Sequence, residues 1–113
     1  MKNNEIMVSV RFESAAISDE MTFLVLKEIS LRAFIEAIYY GLKKAEGCEE
    51  RFELLEQYLK TRKELQVLYN SKGDFDVIDV SEEIEGKSVL DMKLDELGFV
   101  TSSCILITTK VMV

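Results

Sequence analysis

The stretch Leu94–Thr109, LDELGFVTSSCILITT, decides how this chain folds. Its first half is a short apolar turn in which Leu94, Leu97 and Phe99 are spaced to converge on one core. Gly98 stands where the backbone has to reverse, and glycine takes φ above zero without the strain a side chain would bring. Its second half, Cys104 to Thr109, reads as a strand with Ile105 and Ile107 on one side and Leu106 on the other. A strand reached this late, with only Lys110–Val113 after it, is placed most simply in the centre of a sheet, beside the first strand of the chain.

Working outward, residues 6–13 alternate: Ile6, Val8, Val10 and Phe12 point one way, Met7, Ser9 and Arg11 the other. That period of two is a half-buried strand. Residues 14–20 are small and polar and read as a turn, and residues 21–28, MTFLVLKE, as a second strand that closes a hairpin. Both faces of this second strand are apolar, Leu24 and Leu26 on one, Phe23 and Val25 on the other. Ser30 then has the character of an N-cap, and Leu31, Phe34, Ile35, Ile38 and Leu42 follow at helical spacing. Gly47, after Lys43 and Lys44, is the expected stop. A second helix is predicted from about Glu49 to Lys63, with Phe52, Leu55 and Leu59 inward, Tyr58 beside them, and Glu49, Glu50, Glu53 and Glu56 where negative charge suits the helix dipole.

Residues 64–70 return to strand, with Leu65, Val67 and Tyr69 on one face and Leu68 on the other. SKGD, 71–74, is a turn; 75–80, FDVIDV, is a short edge strand; SEEIEGK, 81–87, is a polar loop. The whole chain, 1–113, is expected to be a single α+β domain of order β-β-α-(α)-β-β-turn-β, without repeats, linkers or proline.

That order, a hairpin, one long helix, a strand, a helical turn and a closing strand, resembles the ubiquitin-like β-grasp fold: a mixed sheet packed on one long helix. In KLDELGFVTSSCILIT, residues 93–108, Leu94, Leu97, Gly98, Phe99, Ile105 and Ile107 fall where that fold wants core, core, turn, core, core and core. More narrowly, this ending and MTFLVLKEISLRAFIEAI, residues 21–38, are similar to the YukD-like accessory proteins of bacterial type VII secretion. The resemblance implies a non-enzymatic protein-interaction module and an accessory place in a type VII-like secretion system. Two departures stand out. An extra helix is inserted at about 47–64, and residues 71–89 are longer than a minimal β-grasp needs. They fit an elaborated relative or a domain of a larger secretion-machine protein.

Composition narrows the function further. Acidic residues outnumber basic ones 21 to 14, for a net charge of −7. Nucleic-acid binding would therefore need a local basic patch. The nearest, Lys60, Arg62 and Lys63, closes a helix where cations counter the dipole. The apolar share of 48% is that of a globular chain. No apolar run approaches the roughly 20 residues of a membrane span, and MKNNEIMVSVRFES lacks the zones of a secretory signal. The expected location is cytoplasmic.

The chain has no histidine and only two cysteines, Cys48 and Cys104. Ser-His-Asp and Cys-His catalysis and histidine-based zinc sites are thereby excluded, and two cysteines are no disulfide framework. No phosphate-binding glycine motif is present. The acidic run Asp74, Asp76, Asp79, Glu82 and Glu83 fails the calcium-loop pattern, because Val77 and Ile78 occupy ligand slots. It reads as a solvated acidic edge within 74–85. No catalytic residue, cofactor or metal is expected. Ubiquitin-like modifiers carry a terminal Gly-Gly, whereas this sequence ends TTKVMV, so conjugation is not expected.

Function is then expected on the outer face of the sheet. Parity assigns Met7, Phe23, Val25, Leu68 and Leu106 there, a greasy set for a face that ordinarily alternates apolar with polar. Contiguous exposed apolar surface marks interaction sites, so these five residues are the expected partner-binding surface. One alternative is a structural subunit that homodimerises through the same face; another is that the extra helix or the 71–89 loop covers it.

Overall fold

A computed structural model describes residues 3–15, 17–61, 63–69 and 75–108. The predicted turn at 71–74, Asp74 of the acidic run, Arg62 of the basic cluster and the tail from Thr109 lie outside these residues.

The elements are β1 (Glu5–Glu13), β2 (Ser18–Leu26), α1 (Leu31–Lys44), α2 (Glu49–Thr61), β3 (Glu64–Leu68), β4 (Asp76–Asp79), β5 (Glu83–Ile84), β6 (Lys87–Ser88), a 3-10 turn (Val89–Asp91) and β7 (Ser103–Thr108). The main sheet has five strands in the order β2-β1-β7-β3-β4. β7 runs parallel to β1 and antiparallel to β3, in the central position expected of it. This is the mixed α+β arrangement of a ubiquitin-like β-grasp fold, with α2 as the added helix.

One face of the sheet makes the core. Val8, Val10, Phe12, Ile105 and Val67 are buried against Leu31, Phe34, Ile38 and Leu42 of α1. α1 starts where Ser30 accepts a hydrogen bond from Ala33 N–H at 3.0 Å, and Lys43 and Lys44 close it. The opening stretch behaves as its spacing requires. Leu94 and Phe99 are buried and Gly98 takes φ +97°, its Cα side facing the Tyr69 ring. Phe99 N–H closes the turn on Leu94 O at 3.0 Å.

Beyond end shifts of one or two residues, four boundaries or faces differ from expectation. β2 begins three residues earlier and ends at Leu26, and the pairing with β1 already starts where Ser14 N–H meets Ile17 O. α2 ends at Thr61 and buries Leu54, Leu55 and Tyr58. Leu59 is not buried with them but stays 38% exposed. The inward stripe therefore runs 51-54-55-58, and Arg51 occupies its first place because Asp19 of β2 receives its guanidinium. The polar loop at 81–87 contains a small hairpin, β5–β6, turned by Glu85 and Gly86, both at positive φ, the geometry of a two-residue hairpin turn. The fourth difference, the face of Phe23 and Val25, belongs to the site.

Candidate protein-docking face

The register fixes which side chains share the outer face. β1 and β2 pair Met7 with Leu24, Ser9 with Thr22, Arg11 with Glu20 and Glu5 with Leu26. β7 adds Cys104 beside Ser9 and Leu106 beside Arg11. β3 adds Leu68 beside Cys104 and Gln66 beside Leu106, and β4 adds Val77 beside Gln66. Rows read across the sheet therefore run Leu24–Met7, then Thr22–Ser9–Cys104–Leu68, then Glu20–Arg11–Leu106–Gln66–Val77.

Phe23 and Val25 are not on this face. Phe23 pairs with Val8 and Val25 with Ile6, both core residues, so their side chains point toward α1. Phe23 meets Phe34 edge-on, ring centroids 6.2 Å apart. The expected set is corrected accordingly: Met7, Leu68 and Leu106 stay on the outer face, and Leu24 and Leu26 take the places assigned to Phe23 and Val25. Sequence parity could not phase β2, since both its faces are apolar; its register with β1 does.

The outer face has an apolar diagonal. Met7, Leu24 and Leu26 stand 43%, 54% and 46% exposed at one corner, and Val77 57% at the opposite edge. Between them Leu68 is half-buried, while Leu106 and Cys104 are buried. Leu106 is thus a floor to this surface rather than a contact on it. A polar strip lies alongside: Ser9 and Thr22 hydroxyls are 3.0 Å apart, and Arg11 reaches Glu20 at 3.5 Å. Glu20 Oε1 also accepts from the Cys104 thiol at 3.8 Å. Burial pushes that thiol up from its ordinary pKa, which makes it a poor nucleophile. Gln66 is buried with its Oε1 unpaired, an acceptor set among Leu106 and Val77.

A cavity of about 240 Å³ between α1, α2 and β3 is lined mainly by Ile35, Leu59, Leu65, Val80 and Leu90. Arg32 at its rim is tied to Asp91 at 3.0 Å. Tyr39, half-buried, donates to Glu56 at 3.2 Å and packs on Phe52, whereas Tyr40 is exposed. Both cysteines are free. Among the described residues no group of three metal-ligating side chains forms, and no helix is long and apolar enough to cross a membrane.

No family model and no curated protein matches the chain. Solved structures similar to it include the ubiquitin-like domain of an Arabidopsis thaliana protein, at TM-score 0.48 and 17% identity, covering 96% of this chain and 81% of that one. The C-terminal ubiquitin-like domain of mouse tubulin-specific chaperone e has TM-score 0.46 and 9% identity, covering 99% and 95%. A superantigen-like protein from Staphylococcus aureus has TM-score 0.46 and 16% identity, covering 96% of this chain and 54% of its own. These likenesses concern the fold.

Proposed function

We propose that this chain is a non-enzymatic, ubiquitin-like protein-interaction module that docks a protein partner on the outer face of its sheet. The observation that carries the reading is the exposed apolar set Met7, Leu24, Leu26 and Val77, with half-buried Leu68, on the outer face of the sheet. Apolar surface of this kind is ordinarily withdrawn from water or used in binding. An acidic margin formed by Glu13, Glu64 and Asp79 favours a partner whose rim is basic. A cytoplasmic accessory role in a type VII-like secretion system is the finer form of the reading. It is supported by the similarity of residues 21–38 and 93–108 to YukD-like proteins.

The test is capture by the full chain from its source cells, compared with Met7→Asp and Leu68→Asp. Loss of the captured protein from both variants, with melting temperatures near the parent's, is the expected result. Retention by both variants overturns the outer-face reading. Identification of a captured protein that is no secretion component overturns the finer one.

A further inference from the structure

The sheet has two edges, and they are built differently. β4 is four residues long and begins and ends with aspartate, and a short charged edge resists pairing with another chain. β2 is nine residues long with no proline, glycine or lysine within it. Its ladder with β1 is regular from end to end.

The flanking hydrogen bonds show which backbone groups face outward. Ser14 N–H donates to Ile17 O at 2.8 Å, and Lys27 N–H donates to Asn4 O at 2.9 Å. Bonded and non-bonded pairs alternate in an antiparallel ladder. The odd-numbered residues of β2 therefore bond β1, and Ser18, Glu20, Thr22, Leu24 and Leu26 turn their N–H and C=O to the free edge. Two of these groups are occupied. Glu20 N–H donates to Asp19 Oδ1 at 2.8 Å, and Leu26 O accepts from Ile29 N–H at 3.3 Å. The N–H and C=O of Thr22 and Leu24 meet no partner among the described residues.

We propose that β2 pairs antiparallel with β2 of a second copy of this chain, about a two-fold axis at Phe23, so that two sheets become one. The register follows from the groups already in use. Centred on Phe23, Thr22 exchanges two hydrogen bonds with Leu24 of the other copy, and Glu20 stands opposite Leu26. The occupied Glu20 N–H then faces the occupied Leu26 C=O, and the free Leu26 N–H faces the free Glu20 C=O. Centred on Thr22 instead, Glu20 would stand opposite Leu24 and leave the Leu24 carbonyl unpaired.

Charge agrees with this register. Lys27 of one copy arrives opposite Asp19 of the other, both on the helix side of the sheet. Beside Asp19 opens a cleft of about 500 Å³ lined also by Glu49, Glu50 and Arg51. Three carboxylates against one guanidinium leave it a net acceptor of a lysine. Asp19 and Lys27 are eight residues apart, about 27 Å at strand rise, so the two α2 helices sit at opposite ends of the paired strands. The net charge of −7 on each copy is screened beyond about 8 Å at physiological salt. The contact is isologous, as a two-fold dimer requires.

The proposal concerns the edge and stands apart from the docking face; Met7→Asp leaves it intact. Sedimentation velocity of the full chain over a concentration series tests it, with backbone amide exchange followed by NMR at both ends of the series. The expected result is a reversible dimer in which the Thr22 and Leu24 amides become slow, while Met21, Phe23 and Val25 are slow at every concentration. Thr22→Pro removes an outward donor but no bond to β1, and is expected to be monomeric with a near-parental melt. Lys27→Glu is expected to weaken the dimer about tenfold through its two symmetric contacts. A chain that stays monomeric across the series overturns the proposal. So does a dimer whose Thr22 and Leu24 amides remain fast, or a monomer in which a foreign extended peptide alone protects them. Should Thr22→Pro fail to fold, Lys27→Glu and the exchange data still decide.

Discussion

Replacing neighbouring residues of β2 with alanine separates its two faces. Phe23 is partly buried and rests edge-on against Phe34, itself 1% exposed. A fully buried phenylalanine cut to alanine costs about 3–5 kcal/mol, from lost transfer energy and the cavity left behind. An aromatic pair adds about 0.5–1.5 kcal/mol beyond area. Because Phe23 lies on an edge strand and keeps some contact with water, about 2–3 kcal/mol is expected of Phe23→Ala. Leu24, 54% exposed, touches no core residue across its pair, Met7. Leu24→Ala should fall within about 0.5 kcal/mol of the parent. For a domain of this size, 1 kcal/mol moves the melting temperature by about 4 °C, so the two variants should differ by roughly 6–12 °C. Circular dichroism melts and urea titrations at one protein concentration measure this, with the urea slope unchanged if both remain two-state. Equal losses, or a larger loss from Leu24→Ala, would mean that β2 is phased the other way and that the docking face has been assigned to the wrong residues.

Gly98→Ala should cost about 1–2 kcal/mol in a urea titration, since φ is +97°, where an L side chain is strained, while the new Cβ would meet the Tyr69 ring only in ordinary contact at 3.6 Å. The Asp19, Asp79 and Glu96 carboxyls are held below their ordinary pKa values, chiefly by Arg51, the Ser81 hydroxyl and the Lys93 N–H respectively. Their depressed folded values mean that their stabilisation is present above the ordinary values of 3.8, 3.8 and 4.5 and is lost as pH falls through the folded ones. Asp19→Asn should therefore lower the melting temperature at pH 7 and flatten its fall between pH 4 and more acid conditions; a parallel displacement at every pH would refute the Arg51 contribution. Cys104, buried and with its thiol pushed up, should resist alkylation at pH 7 until urea unfolds the chain, while the more accessible Cys48 reacts in the native state, as mass spectrometry of the labelled peptides would show.

The β-grasp order was legible because each element carries its own period. Ile6, Val8, Val10 and Phe12 repeat every second residue; Leu31, Phe34, Ile38 and Leu42 repeat at helical spacing; Leu94, Gly98 and Phe99 form a turn that needs its glycine. α2 was legible as a helix but not in its facing, because Arg51 takes a place on the inward stripe that only a distant carboxylate, Asp19, makes tolerable. Ile84 and Lys87 gave no strand signal: β5 and β6 are two residues each and depend on the turn between them.

The amino-acid order by itself determined the local elements, the central place of the closing strand and the absence of histidine chemistry, since periodicity, glycine geometry and side-chain type are properties of neighbouring residues. Which side of β2 meets solvent was decided only in the folded sheet. Phe23 and Leu24 are both large and apolar, and nothing local distinguishes them. The register with β1 sets Phe23 opposite Val8, Phe34 of α1 receives it, and Leu24 is left on the outer face.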